Sequence, residues 1–300
     1  MKRIVVTVVA VALTMAALWF VLAKSDMESL RSALRAAHWP GMLLAFAITA
    51  AVQWLRAWRF SLLTFGAPAL PGWRLIGISF QLNLLNYLLP FRLGEFGYPA
   101  MMHKAFRQNP LEALGVLLLA RVLDLACVGA ILLFTGAWLG LAGQGWAMPV
   151  MIATICAVAF VAGLYLLSAR HGARALSAGT RHLRSVNAWL LAAGLSFAIW
   201  LVFGVAAAVA SQSVTTGVSV AAAFLGAAAG NLAFALPVNG IAGLGPSQAA
   251  WVAAVIQTGA SLEDAVAGAL AVYIVTLAGA LIFGAVAFAV SWRAGQTPAP

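Results

Sequence analysis

Four ionisable residues stand where hydrocarbon is expected. Arg92 and Glu95 close the stretch Asn83-Leu-Leu-Asn86-Tyr-Leu-Leu-Pro90-Phe-Arg92-Leu-Gly94-Glu95, and Arg121 and Asp124 sit three apart inside a long apolar run. A charged side chain at the centre of a membrane helix costs at least ~2.5–3.5 kcal/mol when unpaired, so such residues pair or line a cavity. Two positive and two negative groups allow cross-pairing, for example Arg92 with Asp124 and Glu95 with Arg121. One outcome is a polar site that holds a zwitterionic or phosphate-bearing head group. The other is an ion-pair clasp that locks the first broken segment to the long helix. The two are compatible.

A second candidate needs no charged side chain. An apolar run from Val220 to Leu236 breaks at Pro237-Val-Asn239-Gly240-Ile-Ala-Gly243-Leu-Gly245-Pro246, where a short helix starts. The free N–H groups and positive dipole end of such a start can bind an anion. Ser247 and Gln248 add donors in its first turn. Asn86 and Asn239 lie beside the two breaks as further head-group ligands, whereas Asn83 and Asn231 suit the plainer task of satisfying backbone groups freed by the loops. The substrate-binding set is therefore Arg92, Glu95, Arg121, Asp124, Asn86, Asn239, Gly243, Gly245, Ser247 and Gln248. The glycines at 240, 243 and 245 have the order GxxGxG and follow an apolar helix, which does not fit a dinucleotide loop.

No catalytic constellation accompanies these residues. There is no Ser-His-Asp or Cys-His set, no Walker loop and no His pair at metal-ligand spacing, so the chain reads as a non-enzyme without cofactor or metal. Cys127 and Cys156 both fall within apolar spans.

The elements that must carry the site are membrane helices. Of 300 residues 64% are hydrophobic and 8% charged, with a mean hydropathy of +1.01, against about a quarter charged in soluble domains. The net charge of +10 comes from basic residues in short segments between apolar runs. That placement fits the positive-inside bias and anionic lipid head groups rather than nucleic acid. Lys2-Arg3 and the run Ile4 to Ala23 read as an uncleaved first span, since its apolar core exceeds the ~7–15 residues of a signal peptide. Ser25-Asp-Met-Glu28 opens a short interfacial or connecting helix to about Ala37. The second span, Trp39 to Trp58, ends among Trp54, Arg56, Trp58 and Arg59, which read as boundary aromatics and snorkelling arginines. Asn109-Pro110-Leu-Glu112 starts a helix to about Leu139. Ala147–Ser168, Ala188–Ala210 and the segment from Ser261 to Arg293 supply further spans, with a basic loop at 170–184 between the first two. Gly136-x-x-x-Gly140 and Gly226-x-x-x-Gly230 read as helix-packing surfaces.

Placing the N terminus in the cytoplasm puts the basic stretches at 56–74, 104–107, 170–184 and 293 inside, provided that 75–103 enters and leaves on one face and 220–258 on the other. Arg31 and Arg35 fall outside in this scheme. The expected architecture is an all-α polytopic bundle forming a single transmembrane domain over 1–300. It has about six full spans, two oppositely oriented re-entrant hairpins and a disordered tail at 294–300.

Leu89-Pro90-x-Arg92-x-Gly94-Glu95, Arg121-x-x-Asp124 and Leu236-Pro237 with Gly243-Leu-Gly245 resemble the lysylphosphatidylglycerol synthase transmembrane region, a flippase-like (YbhN-type) family, over nearly the whole chain. The resemblance implies re-entrant helices and a role in moving an amphipathic lipid, such as an aminoacylated phospholipid, between leaflets. Two positions depart from it: Tyr98 where many relatives carry Arg, and Gln248 where Glu often stands. The expected protein is thus a cytoplasmic (inner) membrane flippase with both termini in the cytoplasm, binding anionic or zwitterionic lipids and compatible with homo-oligomerisation. The alternatives are a secondary transporter of a small soluble anion and a non-transporting partner of a lipid-modifying enzyme.

Overall fold

The computed structural model describes residues 37–66, 71–141, 183, 185–235 and 245–294, and for residues 90–92, 235 and 292–294 the backbone alone. The expected first span, the helix from Ser25, the span Ala147–Ser168, all of the basic loop except Leu183, the Pro237–Gly243 turn and the tail from 295 lie outside the described residues. The described helices are α1 (Trp39–Phe65), α2 (Trp73–Leu88), a 3-10 helix (Pro90–Phe96), α3 (Gly97–Phe106), α4 (Pro110–Trp138), α5 (Val186–Gln212), α6 (Val220–Ala235), α7 (Pro246–Ile256) and α8 (Leu262–Ala294), with no strand among the described residues.

Local chemistry sets most of their ends. His38 Nδ1 accepts from Gly41 N at the start of α1, and Gly66 closes that helix at φ 68°. Asn109 Oδ1 accepts from Leu111 N at 2.9 Å, with Pro110 and Glu112 in the first turn of α4. Ser185 Oγ caps α5 through Ala188 N at 3.2 Å, and Ser261 Oγ caps α8 through Asp264 N at 3.1 Å. Each cap satisfies an N–H that has no partner inside its own helix.

Four of these helices, α1, α4, α5 and α8, are long and apolar enough to cross a membrane. Their outward faces carry exposed Leu43, Phe134, Trp138, Leu190 and Val286. A row of large apolar side chains on an outer surface suits lipid rather than water. One boundary differs from the sequence reading. The span expected to stop near Trp58 continues to Phe65, so Arg56 and Arg59 stand inside α1 rather than at its end.

The helix break expected at Pro90 is present. Proline removes a backbone donor, and α2 stops at Leu88 with Leu89 in an extended conformation before the 3-10 turn. That turn folds tightly onto α2: a Cβ at Gly94 would run into the Leu85 carbonyl carbon and lie 2.6 Å from the Asn86 nitrogen. Backbone cannot swing aside as a side chain can. Gly94→Ala is therefore expected to destabilise the protein by roughly 1–3 kcal/mol, the usual cost of overpacking. Thermal unfolding in detergent checks this against Gly72→Ala, whose added Cβ meets nothing within 4 Å.

The second broken element packs on itself through glycine. A Cβ at Gly226 would sit 2.7 Å from the Trp251 ring, and one at Gly230 would sit 3.0 Å from the Ser247 carbonyl oxygen, so α6 and α7 approach closely there. Gly140, also read as a packing residue, instead takes φ +73° in open space and forms the turn after α4.

Apolar clusters tie the helices into one body. Phe60, Leu63, Leu75, Tyr98, Met102 and Leu117 join α1 to α4. Val218, Ala223, Trp251, Val255 and Ala265 join the α6, α7 and α8 end of the chain, while Val52, Leu132, Ile199 and Leu225 bridge the two groups. Between them lies polar space.

Candidate functional site

The polar interior is organised around Asp124, whose side chain is 7% exposed. α4 carries this carboxylate to mid-helix, where Arg59 of α1 meets it: Nη1 donates to Oδ1 at 2.6 Å and Nη2 donates to Oδ2 at 3.2 Å. The Arg59 side chain is 1% exposed. Its Nη1 also donates to Ser196 Oγ of α5 at 2.9 Å, and that hydroxyl donates onward to Ala192 O at 2.8 Å. Trp200 Nε1, one turn along α5, donates to Asp124 Oδ1 at 2.9 Å. Arg121 Nη1 donates to Oδ2 at 3.1 Å. Four donated bonds fill the acceptor capacity of one carboxylate.

Two further groups extend the network. Arg121 Nε lies 3.0 Å from Glu95 Oε1, which ties the 3-10 turn to α4. The Arg56 guanidinium lies 5.5 Å from the centroid of the Trp200 ring, within the range of a cation–π contact. Asp124 thus fixes the orientation of Arg121 directly and supports Arg56 through the indole. Counted over the described residues, three guanidiniums (Arg56, Arg59 and Arg121) face two carboxylates, Glu95 and Asp124.

A cavity of about 100 Å³ opens beside this network. α1 lines it with Thr49, Gln53 and Arg56, α2 with Asn83, Asn86 and Tyr87, and α4 with Arg121. α5 contributes Trp200, α6 Gly230, Asn231 and Phe234, α7 Ser247, Gln248 and Trp251, and α8 Tyr273 and Thr276. Among the described residues of this lining, the charged side chains are the two arginines. Both broken elements reach it, and their ends touch where the Tyr87 and Phe234 rings lie 5.7 Å apart. Each of those aromatics stands three residues before its break proline, Pro90 or Pro237.

The residues singled out from sequence are distributed as follows. Asn86, Arg121, Ser247 and Gln248 line the cavity. Glu95 and Asp124 hold arginines and do not form part of its lining. Gly245 stands at the start of α7 with φ 122°, where few residues but glycine fit. Gln248 Oε1 accepts from Gly245 N at 2.8 Å, so one end of this side chain caps the helix. Asn231, expected to satisfy backbone, donates from Nδ2 to Ala227 O at 2.8 Å. Asn239, Gly243 and the Arg92 side chain lie outside the described residues. The bidentate partner of Asp124 is Arg59, the place that the cross-pairing example offered to Arg92. Tyr98, where the resemblance led to the expectation of an arginine, packs in the apolar core with its ring 4.7 Å from that of Phe60.

Sequence reasoning missed Arg56 and Arg59. A signal was present: Thr49, Gln53 and Arg56 recur at i, i+4 and i+7, a polar stripe along one face of an otherwise apolar helix.

Long apolar helices with lipid-suited outer faces, closed around a charged interior, define a helical membrane protein. Residues 7–284 match the family model of the lysylphosphatidylglycerol synthase TM region. The chain belongs to that family. No curated protein matches it.

Proposed function

We infer that this protein binds a membrane lipid by its polar head and carries that head between leaflets while the tails stay in the bilayer. The observation that supports this most directly is a cavity lined by Arg56 and Arg121 at the meeting point of both broken elements. Irregular backbone at membrane depth is tolerated only where protein or a water-filled cavity surrounds it, and broken helices at a shared site are the hallmark of transporter cores. About six full spans and two re-entrant hairpins in a cytoplasmic membrane, with both termini cytoplasmic, belong to the same reading. The protein's partners are lipids with polar heads, and its work is transport rather than catalysis.

Reconstitution tests this. Liposomes holding the full chain and tail-labelled lipids should show reduction of inner-leaflet label faster than protein-free vesicles, and Asp124→Asn should slow it. A rate equal to that of empty vesicles for every lipid tried would sink the reading. The topology has its own check. Single cysteines at Phe91 and Val238 are expected to react with impermeant maleimide from opposite faces, and reaction of both from one face would remove the inverted hairpins.

A further inference from the structure

The lining of the cavity says which heads it accepts. Of the five acidic residues among the described residues, none lines it, and Glu95 and Asp124 are already paired with Arg121 and with Arg59. An ammonium entering here finds no carboxylate among the described residues of the lining. An anion finds the Arg56 guanidinium, whose Nε is buried and has no hydrogen-bond partner among the described residues, and the Arg121 guanidinium in the same lining.

Other groups point the same way. Trp251 is 4% exposed, lines the cavity, and its indole N–H has no partner among the described residues. A buried donor left unsatisfied costs about 1–3 kcal/mol, so such a group marks a place for an acceptor. It stands on α7, whose first-turn residues Ser247 and Gln248 share the same lining. Asn86, 8% exposed, has its amide oxygen unpartnered, and Gln53, Asn83 and Asn231 stand with it around the space. Amides both donate and accept, as hydroxyl-bearing heads require.

We propose that the site selects a phosphodiester monoanion with a hydroxyl-bearing, uncharged head, of the phosphatidylglycerol type, and discriminates against heads that carry an ammonium group, aminoacylated ones included. One bound phosphodiester then offsets the excess of three guanidiniums over two carboxylates among the described residues. Arg56 and Arg121 take the phosphate oxygens, and the amides of α1, α2 and α6 take the hydroxyls. This narrows the head-group site described above and rests on that reading.

Binding to the detergent-solubilised full chain tests it separately from flipping. The probes are dihexanoyl phosphatidylglycerol, dihexanoyl phosphatidylethanolamine, lysyl-phosphatidylglycerol and the tail-free head glycerophosphoglycerol. Phosphatidylglycerol is expected to bind at least about tenfold more tightly than either ammonium-bearing lipid, and Arg56→Gln is expected to erase most of that difference. Equal or tighter binding of phosphatidylethanolamine or lysyl-phosphatidylglycerol overturns the proposal, even if lipids are flipped. Selective binding in a protein that flips nothing leaves it standing and removes the flippase reading. Glycerophosphoglycerol binding as tightly as the lipid supports the phosphodiester chemistry and assigns it to a soluble anion.

Discussion

Asp124→Ala is expected to leave almost no folded protein. The substitution removes all four acceptor contacts at once and strands Arg59, a side chain 1% exposed, without its counter-ion. Breaking a buried pair from one side costs about 3–5 kcal/mol, because the surviving charge stays desolvated. For a domain whose total stability is ~5–15 kcal/mol, that is a large share. Yield and monodispersity on size exclusion after detergent extraction measure the outcome. A second variant separates charge from shape: Asp124→Leu combined with Arg59→Met removes both charges and should recover much of the folded yield. Recovery without transport would show that the network also serves the cavity. Full folding of the single alanine variant would mean that Asp124 does not hold the bundle together.

Arg56→Gln should have the opposite signature, a protein that folds but does not work. Arg56 makes no ion pair among the described residues and rests over the Trp200 ring, so its loss strands no carboxylate. A charge-assisted bond to an anion is worth about 1.5–3 kcal/mol, which predicts a fall of roughly 10- to 150-fold in lipid flux at low substrate. Arg56→Lys keeps the charge but loses the planar face that stacks on the indole, and should fall between the two. Flux in proteoliposomes, normalised to folded protein, is the measurement. Unchanged flux in the glutamine variant would take Arg56 out of the transport path.

Much of the scaffold was legible because helix ends are local chemistry. Asn109-Pro110, Ser261 and Pro90 each announce a boundary within four residues of chain, and the helices begin or break there. The pairing of Glu95 with Arg121 was legible by charge alone, since two opposite charges in hydrocarbon have few other choices. Arg59 with Asp124 was not, because those residues stand 65 apart in the chain and the Trp-Arg cluster around Arg59 looks the same at a membrane boundary as inside a bundle. The deciding fact is tertiary: α5 brings Ser196 and Trp200 to the same point, so that a charge read as reaching for water is turned inward. Gln248 shows the reverse case. It lines the cavity, yet one end of its amide serves the helix start.

The excess of one guanidinium among the described residues has an electrical consequence. In a carrier, an empty site with one uncompensated positive charge moves that charge when it reorients, whereas a site holding a monoanion moves as a neutral unit. A voltage of 100 mV acts on each elementary charge carried fully across with about 2.3 kcal/mol. The field would therefore work on the unloaded return stroke and leave the loaded stroke untouched. Turnover would follow voltage although the cargo-bearing form feels none.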